Sequence, residues 1–199
     1  MINGAMKTFA KAAVLVFLLA LVIALNLSPG RAQGPAAVFE GKNTLLRPEG
    51  YREWIFVGSS LGLSYAQDPN QAENRAQIYH NTYINPSSYR EFSKTGKFPE
   101  GTMMVLELFN AEVKKEPGLQ GSYEKDHIAL EASVKDSTRF EGGWGYFNFT
   151  EGPGVFKAKA DPFPQTRCWS CHHEKAATDH VFTQFYPVLR AAAPRSPSR

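Results

Sequence analysis

This chain of 199 residues has few cysteines, few acidic residues near its N-terminus and few long apolar runs. Cys168 and Cys171 are its only two cysteines, which excludes a scaffold stapled by several disulfides. The longest charge-free apolar run covers residues 12–27, fewer than the ~20 residues that span a bilayer. No repeat and no low-complexity tract interrupts the main body, whose 43% hydrophobic and 13% aromatic content suffices for a packed core.

Residues 1–32 have the layout of a secretory signal peptide. Lys7 and Lys11 precede the apolar run, residues 28–30 break it, and small residues lead to a cleavage site after Ala32. The alternative is a membrane anchor, for which the run is short. Removal of the leader leaves 19 basic and 19 acidic residues, a net charge near zero. We therefore see no electrostatic basis for nucleic-acid binding.

Residues 33–190 are expected to form one domain of the α+β class, mainly an antiparallel β-sheet with a few short helices and a C-terminal attachment segment. Alternation and turn residues predict the strands, and Ser and Gly caps predict a short helix. The predicted elements are a helical turn running into a strand over 51–58, strands at 78–85, 102–109, 127–135 and 143–149, a helix at 89–96, a hairpin loop at 110–125, a connector at 151–165, a helix at 176–190 interrupted near Pro187, and a disordered tail at 191–199.

Cys168, Cys171 and His172 form a C-x-x-C-H motif. Two thiols at this spacing can add to the vinyl groups of one haem, which holds the adjacent imidazole where it can bind the iron. The alternatives are a thioredoxin-like redox pair, a strained disulfide, or a zinc site completed by His173 and His180 in an unusually compact set. The export signal favours haem, because c-type maturation happens outside the cytoplasm. The motif thus predicts one covalently attached haem c with His172 as iron ligand.

A sixth iron ligand is harder to identify. Electron-transfer cytochromes normally use Met or His on the far face of the haem. Met103 and Met104 lie in a predicted strand, as do His80 and His127, and all four are more typical of a core. A phenylalanine-lined distal side would instead leave the iron open to small neutral ligands such as NO. The phenylalanines considered for it are Phe147, Phe149, Phe156 and Phe163.

Several segments accompany the motif in a fixed order along the chain. They are residues 51–54 with 57–58, 83–86, 94–102, 133–136 with 139–140, 144–147, 168–172 and 181–187. Together they resemble cytochrome P-460 and its relative cytochrome c′-beta over nearly the whole mature chain. The resemblance implies a mostly antiparallel β fold, a periplasmic homodimer, and a five-coordinate haem with an open distal face.

The same resemblance implies two possible activities. Cytochrome P-460 carries a lysine cross-linked to its haem and oxidises hydroxylamine, whereas cytochrome c′-beta lacks the cross-link and binds NO. Alignment on Pro86 and Thr102 places Leu106 at the position of that lysine. We therefore expect NO or a similar small ligand to bind beside Leu106, with His80 and Phe163 as further distal-pocket candidates. Oxidation of hydroxylamine or NO, and electron transfer with an unidentified redox partner, remain the alternatives.

Overall fold

The computed structural model describes residues 37–63 and 77–194. Ten strands and three α-helices occur in these ranges. The strands are β1 (Phe39–Glu40), β2 (Thr44–Leu46), β3 (Ile55–Leu61), β4 (Ile78–Ile84), β5 (Met103–Glu116), β6 (Leu119–Lys135), β7 (Trp144–Asn148), β8 (Thr150–Gly152), β9 (Val155–Phe156) and β10 (Lys159–Ala160). The helices are α1 (Pro86–Thr95), α2 (Trp169–Lys175) and α3 (Pro187–Ala192), with 3₁₀ turns at Tyr51–Glu53 and Thr183–Phe185.

A five-stranded antiparallel sheet in the order β3-β4-β5-β6-β7 dominates the fold. Two smaller sheets flank it, one formed by β1, β2 and β10 and one by the β8–β9 hairpin. The predicted class is confirmed: the chain is mainly antiparallel β-sheet with short helices. Along β5, Met103 and Val105 point into one core while Met104 points into another, because successive side chains of a strand face opposite sides of the sheet.

Each face of the main sheet therefore carries its own core. The first core is built from Leu45, Met103, Val105, Leu130, Ala132, Val134, Phe140, Phe147, Phe149 and Ala160. The second core is built from Val57, Ile84, Phe92, Phe98, Met104, Trp144, Tyr146, Val181 and Leu189. Because Val181 and Leu189 come from the C-terminal segment, that segment is fixed against the second face, where α1 also packs.

Proline and glycine residues mark the two ends of helix α1. Pro86 occupies its first turn, where the missing N–H is harmless and the fixed φ suits a helix. Gly96 ends it in the left-handed conformation with φ 72°, and its N–H donates to the carbonyl of Phe92. The helix thus begins earlier than predicted, at the proline rather than after a serine cap. Its N-cap residue is Asn85, whose side chain makes no cap hydrogen bond.

Three other sequence predictions are wrong in extent. Residues 110–125 are not a loop: β5 and β6 continue through them as a ladder from Ala111↔Glu124 to Glu116↔Leu119. The charged residues that suggested a loop lie on this exposed hairpin, where Lys125 pairs with Glu112. Residues 176–190 are not one helix either, because α3 begins at Pro187 instead of ending there. The predicted connector at 151–165 contains parts of three short strands.

Some predictions fall at the limits of the described residues. The predicted leader, residues 1–32, lies outside them. Helix α3 includes Ala191 and Ala192, which were assigned to the tail, whereas residues 195–199 also lie outside. Within the described ranges, no helix is both long and apolar enough to cross a membrane.

Candidate haem site

The C-x-x-C-H motif forms the start of the short helix α2. Cys168 occupies its N-cap position, and Cys171 and His172 follow within the helix. Residues three and four apart share one face of a helix, so both thiols and the imidazole project to the same side. Both cysteines are free and half-buried. The segment therefore presents two uncommitted thiols and one imidazole together.

His172 is oriented by a single strong contact. Its Nδ1 lies 2.7 Å from the carbonyl oxygen of His180, which can only accept, so Nδ1 carries the proton. The rings of Tyr146 and Phe182 pack on the imidazole, each with its centroid 4.5 Å away. Burial lowers the pKa of His172 and favours the neutral ring. A neutral ring with protonated Nδ1 leaves Nε2 as the metal-binding nitrogen.

The carbonyl that binds His172 belongs to a tight turn. Thr178 and Val181 exchange backbone hydrogen bonds of 2.8 and 3.3 Å across it. The two residues between them have positive φ, 42° for Asp179 and 62° for His180. These values are typical of a type I′ turn, for which asparagine, aspartate or glycine is usual at the first position and glycine at the second. A two-residue turn without glycine therefore sets the direction of the His180 carbonyl.

A row of polar and apolar side chains crosses the second face of the main sheet. The strand register places Thr82 opposite Leu106, Leu106 opposite Glu131, and Glu131 opposite Asn148. Cross-strand partners share a face, so these four side chains are neighbours. Asn148 Nδ2 donates a hydrogen bond of 3.2 Å to Glu131 Oε1. The row is therefore not uniformly apolar, since a carboxylate stands next to Leu106.

Glu131 interacts electrostatically with Arg167 and Cys168, at the start of the C-x-x-C-H segment. Burial raises the pKa of Glu131, and the charge of Arg167 opposes that rise. Burial and, after it, the charge of Glu131 raise the pKa of the Cys168 thiol to about 11. A thiol raised in this way stays protonated at neutral pH, whereas a thioredoxin-like nucleophile needs a lowered pKa. The local electrostatics thus do not support the redox-pair alternative.

The residues present fit a haem at this place. Tyr146 is 7% exposed, yet its Oη has no hydrogen-bond partner among the described residues, and Cys168 packs against the same core. An orphaned buried hydroxyl beside free thiols and an oriented imidazole is expected where a bound group completes the site. Over residues 37–63 and 77–194, no three His, Cys, Asp or Glu side chains converge on a possible metal position.

The sequence-predicted distal residues all lie on the second face or at its border. Leu106 occupies the row described above. Phe163 packs against the second core, its N–H donates to the Tyr146 carbonyl at 2.8 Å, and Arg167 covers its ring. His80 pairs with Leu108 one step along the sheet, with Nδ1 3.2 Å from the Ile78 carbonyl. Burial lowers the pKa of His80 and favours its neutral form.

Two of the sixth-ligand candidates lie on the wrong side of the sheet. Met103 is fully buried in the first core. His127 stacks on Phe109 at 4.7 Å and contacts Phe156, which also packs against the first core. Met104 does face the second core, where it is 6% exposed.

Three residues that the strand register brings to the site were not predicted from the sequence: Glu131, Asn148 and Tyr146. The one signal visible in the sequence is an acidic residue between the apolar Leu130 and Ala132.

Gly142 explains how α2 docks on the sheet. The indole Nε1 of Trp169 donates to the Gly142 carbonyl at 3.1 Å. Gly142 has φ 78°, and a Cβ built there would overlap the Trp169 ring. Only glycine allows both the backbone conformation and the close approach. This contact fixes the residue that follows Cys168.

A separate charged cluster lies on the first face. Glu107 is 2% exposed, and its Oε1 accepts from Tyr51 Oη at 2.6 Å and from Arg52 Nε and Nη2 at 2.9 and 2.6 Å. Burial and the Glu107 carboxylate raise the pKa of Tyr83 to about 12. A pocket of about 350 Å³ opens beside the cluster, between Tyr51, Arg52 and His127. The sheet separates this cluster from the thiols.

The chain was compared with known proteins. No curated protein matches it. The family model described as Cytochrome P460 matches residues 48–183, which include all five strands of the main sheet, Cys168, Cys171 and His172, and the turn that orients His172. The family implies a haem cofactor, in agreement with the free thiols and the oriented imidazole. The chain belongs to the cytochrome P460 family.

Proposed function

We propose that the chain is an exported mono-haem c-type cytochrome that binds NO or a similar small ligand. Cys168 and Cys171 hold the haem covalently, and His172 Nε2 is its protein ligand. When bound, haem would supply an iron atom that accepts His172 Nε2 as its protein ligand and keeps one further coordination position open to a small ligand. The observation that carries the proposal is Leu106: its aliphatic side chain cannot ligate iron or form a lysine cross-link, and it lies opposite Glu131 on the face of the sheet against which Cys168 packs.

The neighbours of Leu106 shape the proposed ligand site. Thr82 and Glu131 flank it on the adjacent strands, and Phe163 borders the same face. Leu106 and Phe163 would exclude water. Thr82 is buried, and its hydroxyl donates to the Tyr186 hydroxyl at 3.4 Å, so its proton is already engaged. Such a surface suits a small neutral molecule better than an anion, because the nearby carboxylate disfavours added negative charge.

Export to the periplasm and assembly into a homodimer belong to the same proposal. The leader layout of residues 1–32 supports export, as does the extracytoplasmic maturation of c-type haem. The resemblance to cytochrome c′-beta supports the homodimer. A redox partner that keeps the iron ferrous is required, and its identity is open.

Absorption spectroscopy of the purified ferrous protein tests the proposal. We expect an unmodified, high-spin haem c spectrum that changes on anaerobic titration with NO and saturates near one equivalent per chain. A sharp low-spin spectrum insensitive to NO would indicate a six-coordinate electron carrier. A strongly red-shifted Soret band would indicate a cross-linked haem. Replacement of both Cys168 and Cys171 by Ala should abolish haem that survives denaturation, and wild-type colour after that change would refute covalent attachment.

Glu131 supports a second candidate function, the oxidation of hydroxylamine. This reaction removes protons as well as electrons, and a partly buried carboxylate with a raised pKa is suited to accept a proton. Asn148 holds that carboxylate in place. Hydroxylamine-dependent reduction of an added dye would detect the activity. If turnover occurs and falls in Glu131→Gln but not in the exposed control Glu141→Gln, the chain is an enzyme and the binding-only proposal is wrong.

A further inference from the structure

The turn at residues 178–181 adopts a backbone conformation that its own sequence favours only at the first of its two central positions. Asp179 and His180 both have positive φ; Asp is common at the first position of such a turn, whereas glycine is usual where His180 lies. A turn without that glycine depends on surrounding contacts to keep its shape. The contacts of Asp179 therefore decide whether the turn keeps this shape.

Asp179 is held by two neighbouring strands of the main sheet. Lys135 Nζ, at the end of β6, lies 2.7 Å from Asp179 Oδ2. Trp144 Nε1, at the start of β7, donates to Asp179 Oδ1 at 3.2 Å. The carboxylate is thus bound at both oxygens by groups that belong to the rigid part of the fold.

Lys135 is itself fixed. Its Nζ also donates to the Phe98 carbonyl at 2.8 Å. The side chains of Lys135 and Asp179 are 19% and 34% exposed, so solvent screens this ion pair less than a fully exposed one. The ion pair between Lys135 and Asp179 therefore connects the turn to the main sheet and is not an isolated surface pair.

The turn in its present shape delivers the His180 carbonyl to His172 Nδ1 at 2.7 Å. An acceptor on the outer nitrogen of a ligating imidazole fixes the ring and increases its donor strength. We propose that Asp179 is a positioning residue: its contacts with Lys135 and Trp144 hold the 178–181 turn, and the turn holds the hydrogen bond that sets how strongly His172 donates to the iron. This inference rests on the proposed role of His172 as iron ligand.

The His180 ring offers a competing explanation for the shape of the turn. It packs near Trp169 and His173, with centroid distances of 5.0 and 5.2 Å. If ring packing held the turn, removal of the ring would matter and removal of the Asp179 carboxylate would not. The variant His180→Gly keeps the carbonyl and suits positive φ, so it separates the two explanations.

Resonance Raman spectroscopy of the ferrous haem-loaded protein tests the inference through the iron–histidine stretching band. Asp179→Ala and Lys135→Met are expected to move the band to lower frequency and to raise the reduction potential, because a looser hydrogen bond weakens the imidazole as a donor. His180→Gly should leave both near wild type. Lys159→Met is the matched control, since Lys159 forms a similar 2.8 Å pair with Glu40 in the small sheet.

The outcomes are distinct. Wild-type bands and potentials in both Asp179→Ala and Lys135→Met, at normal haem content, overturn the role of Asp179 but leave the proposed function intact. A shift in His180→Gly alone overturns it in favour of ring packing. Absence of any iron–histidine band in the wild type refutes the proposed function itself. If Asp179→Ala does not accumulate, Lys135→Met combined with Trp144→Phe removes both partners of the carboxylate, and the same shift is expected.

Discussion

Leu106 on β5 lies directly opposite Glu131 on β6, so an aliphatic side chain and a carboxylate are adjacent on the second face of the sheet. The Leu106 side chain has no nucleophilic or metal-ligating atom. Glu131 keeps an acid–base group within the same row. Ligand binding and proton transfer are therefore separable by mutation.

Leu106→Ala should accelerate the binding of a bulky ligand more than that of NO. Removal of the isobutyl group opens the face beside Glu131, and a large isocyanide gains more from that space than a diatomic molecule. Stopped-flow association rates for both ligands measure the effect, which we expect to be several-fold for the isocyanide. Leu130→Ala is the control, because Leu130 lies on the next strand but faces the first core. It should lower the free energy of unfolding by about 3 kcal/mol and leave the ratio of the two rates unchanged.

Glu131→Gln should change how stability depends on pH. Burial raises the pKa of Glu131 in the folded state, so the folded chain holds this proton to a higher pH than the unfolded chain. The stability contributed by the protonated group is complete below the ordinary glutamate pKa and is lost as pH rises through the raised value. The glutamine variant should match wild type in acid and exceed it at neutral pH, as measured by urea midpoints. Equal midpoints at both pH values would contradict this, and Glu141→Gln serves as the exposed control.

The Glu107 cluster should matter for stability but not for ligand binding. Glu107→Gln leaves Arg52 without its ionic partner and weakens the acceptor of Tyr51. We expect a loss of about 2 kcal/mol in the free energy of unfolding, a moderate value because the Arg52 side chain is 63% exposed. The double variant with Arg52→Met should lose less than the sum of the single variants. Altered NO-bound spectra would show that the two faces of the sheet are coupled after all.

Gly142→Ala should impair haem attachment as well as stability. The added methyl would displace Trp169, the residue after Cys168, and so shift the first thiol. Gly154→Ala is a close match because Gly154 has φ 72° but open space where its Cβ would lie. The control should lose about 1–2 kcal/mol from backbone strain alone. Haem that remains bound after denaturation, quantified per chain, should fall only in Gly142→Ala.

The sequence predicted those parts of the site whose chemistry is local. The spacing of Cys168, Cys171 and His172 is set by one turn of helix, so the motif could be identified without the fold. The partner of His172 could not, because its carbonyl belongs to a turn formed by Asp179 and His180 without the glycine that usually marks such turns. Glu131 was missed for a different reason: only the strand register shows which face it occupies.

The fold was predicted to a similar degree. Alternating apolar residues identified the central strands, since their period is visible in the sequence. The hairpin at 110–125 was taken for a loop because its exposed strands carry charge on both faces, and charge pairs such as Lys125 with Glu112 replace the apolar alternation. Pro187 was predicted to interrupt or end a helix, whereas it begins α3, a position that suits proline.

The position of the attachment segment in the chain has a consequence for maturation. All five strands of the main sheet precede Cys168, and the residues after it complete the second core. We therefore expect the central sheet to form before the C-terminal arm packs against it, which would leave both thiols accessible for the proposed attachment of haem. Packing of that arm against the second core would then bury the attached group.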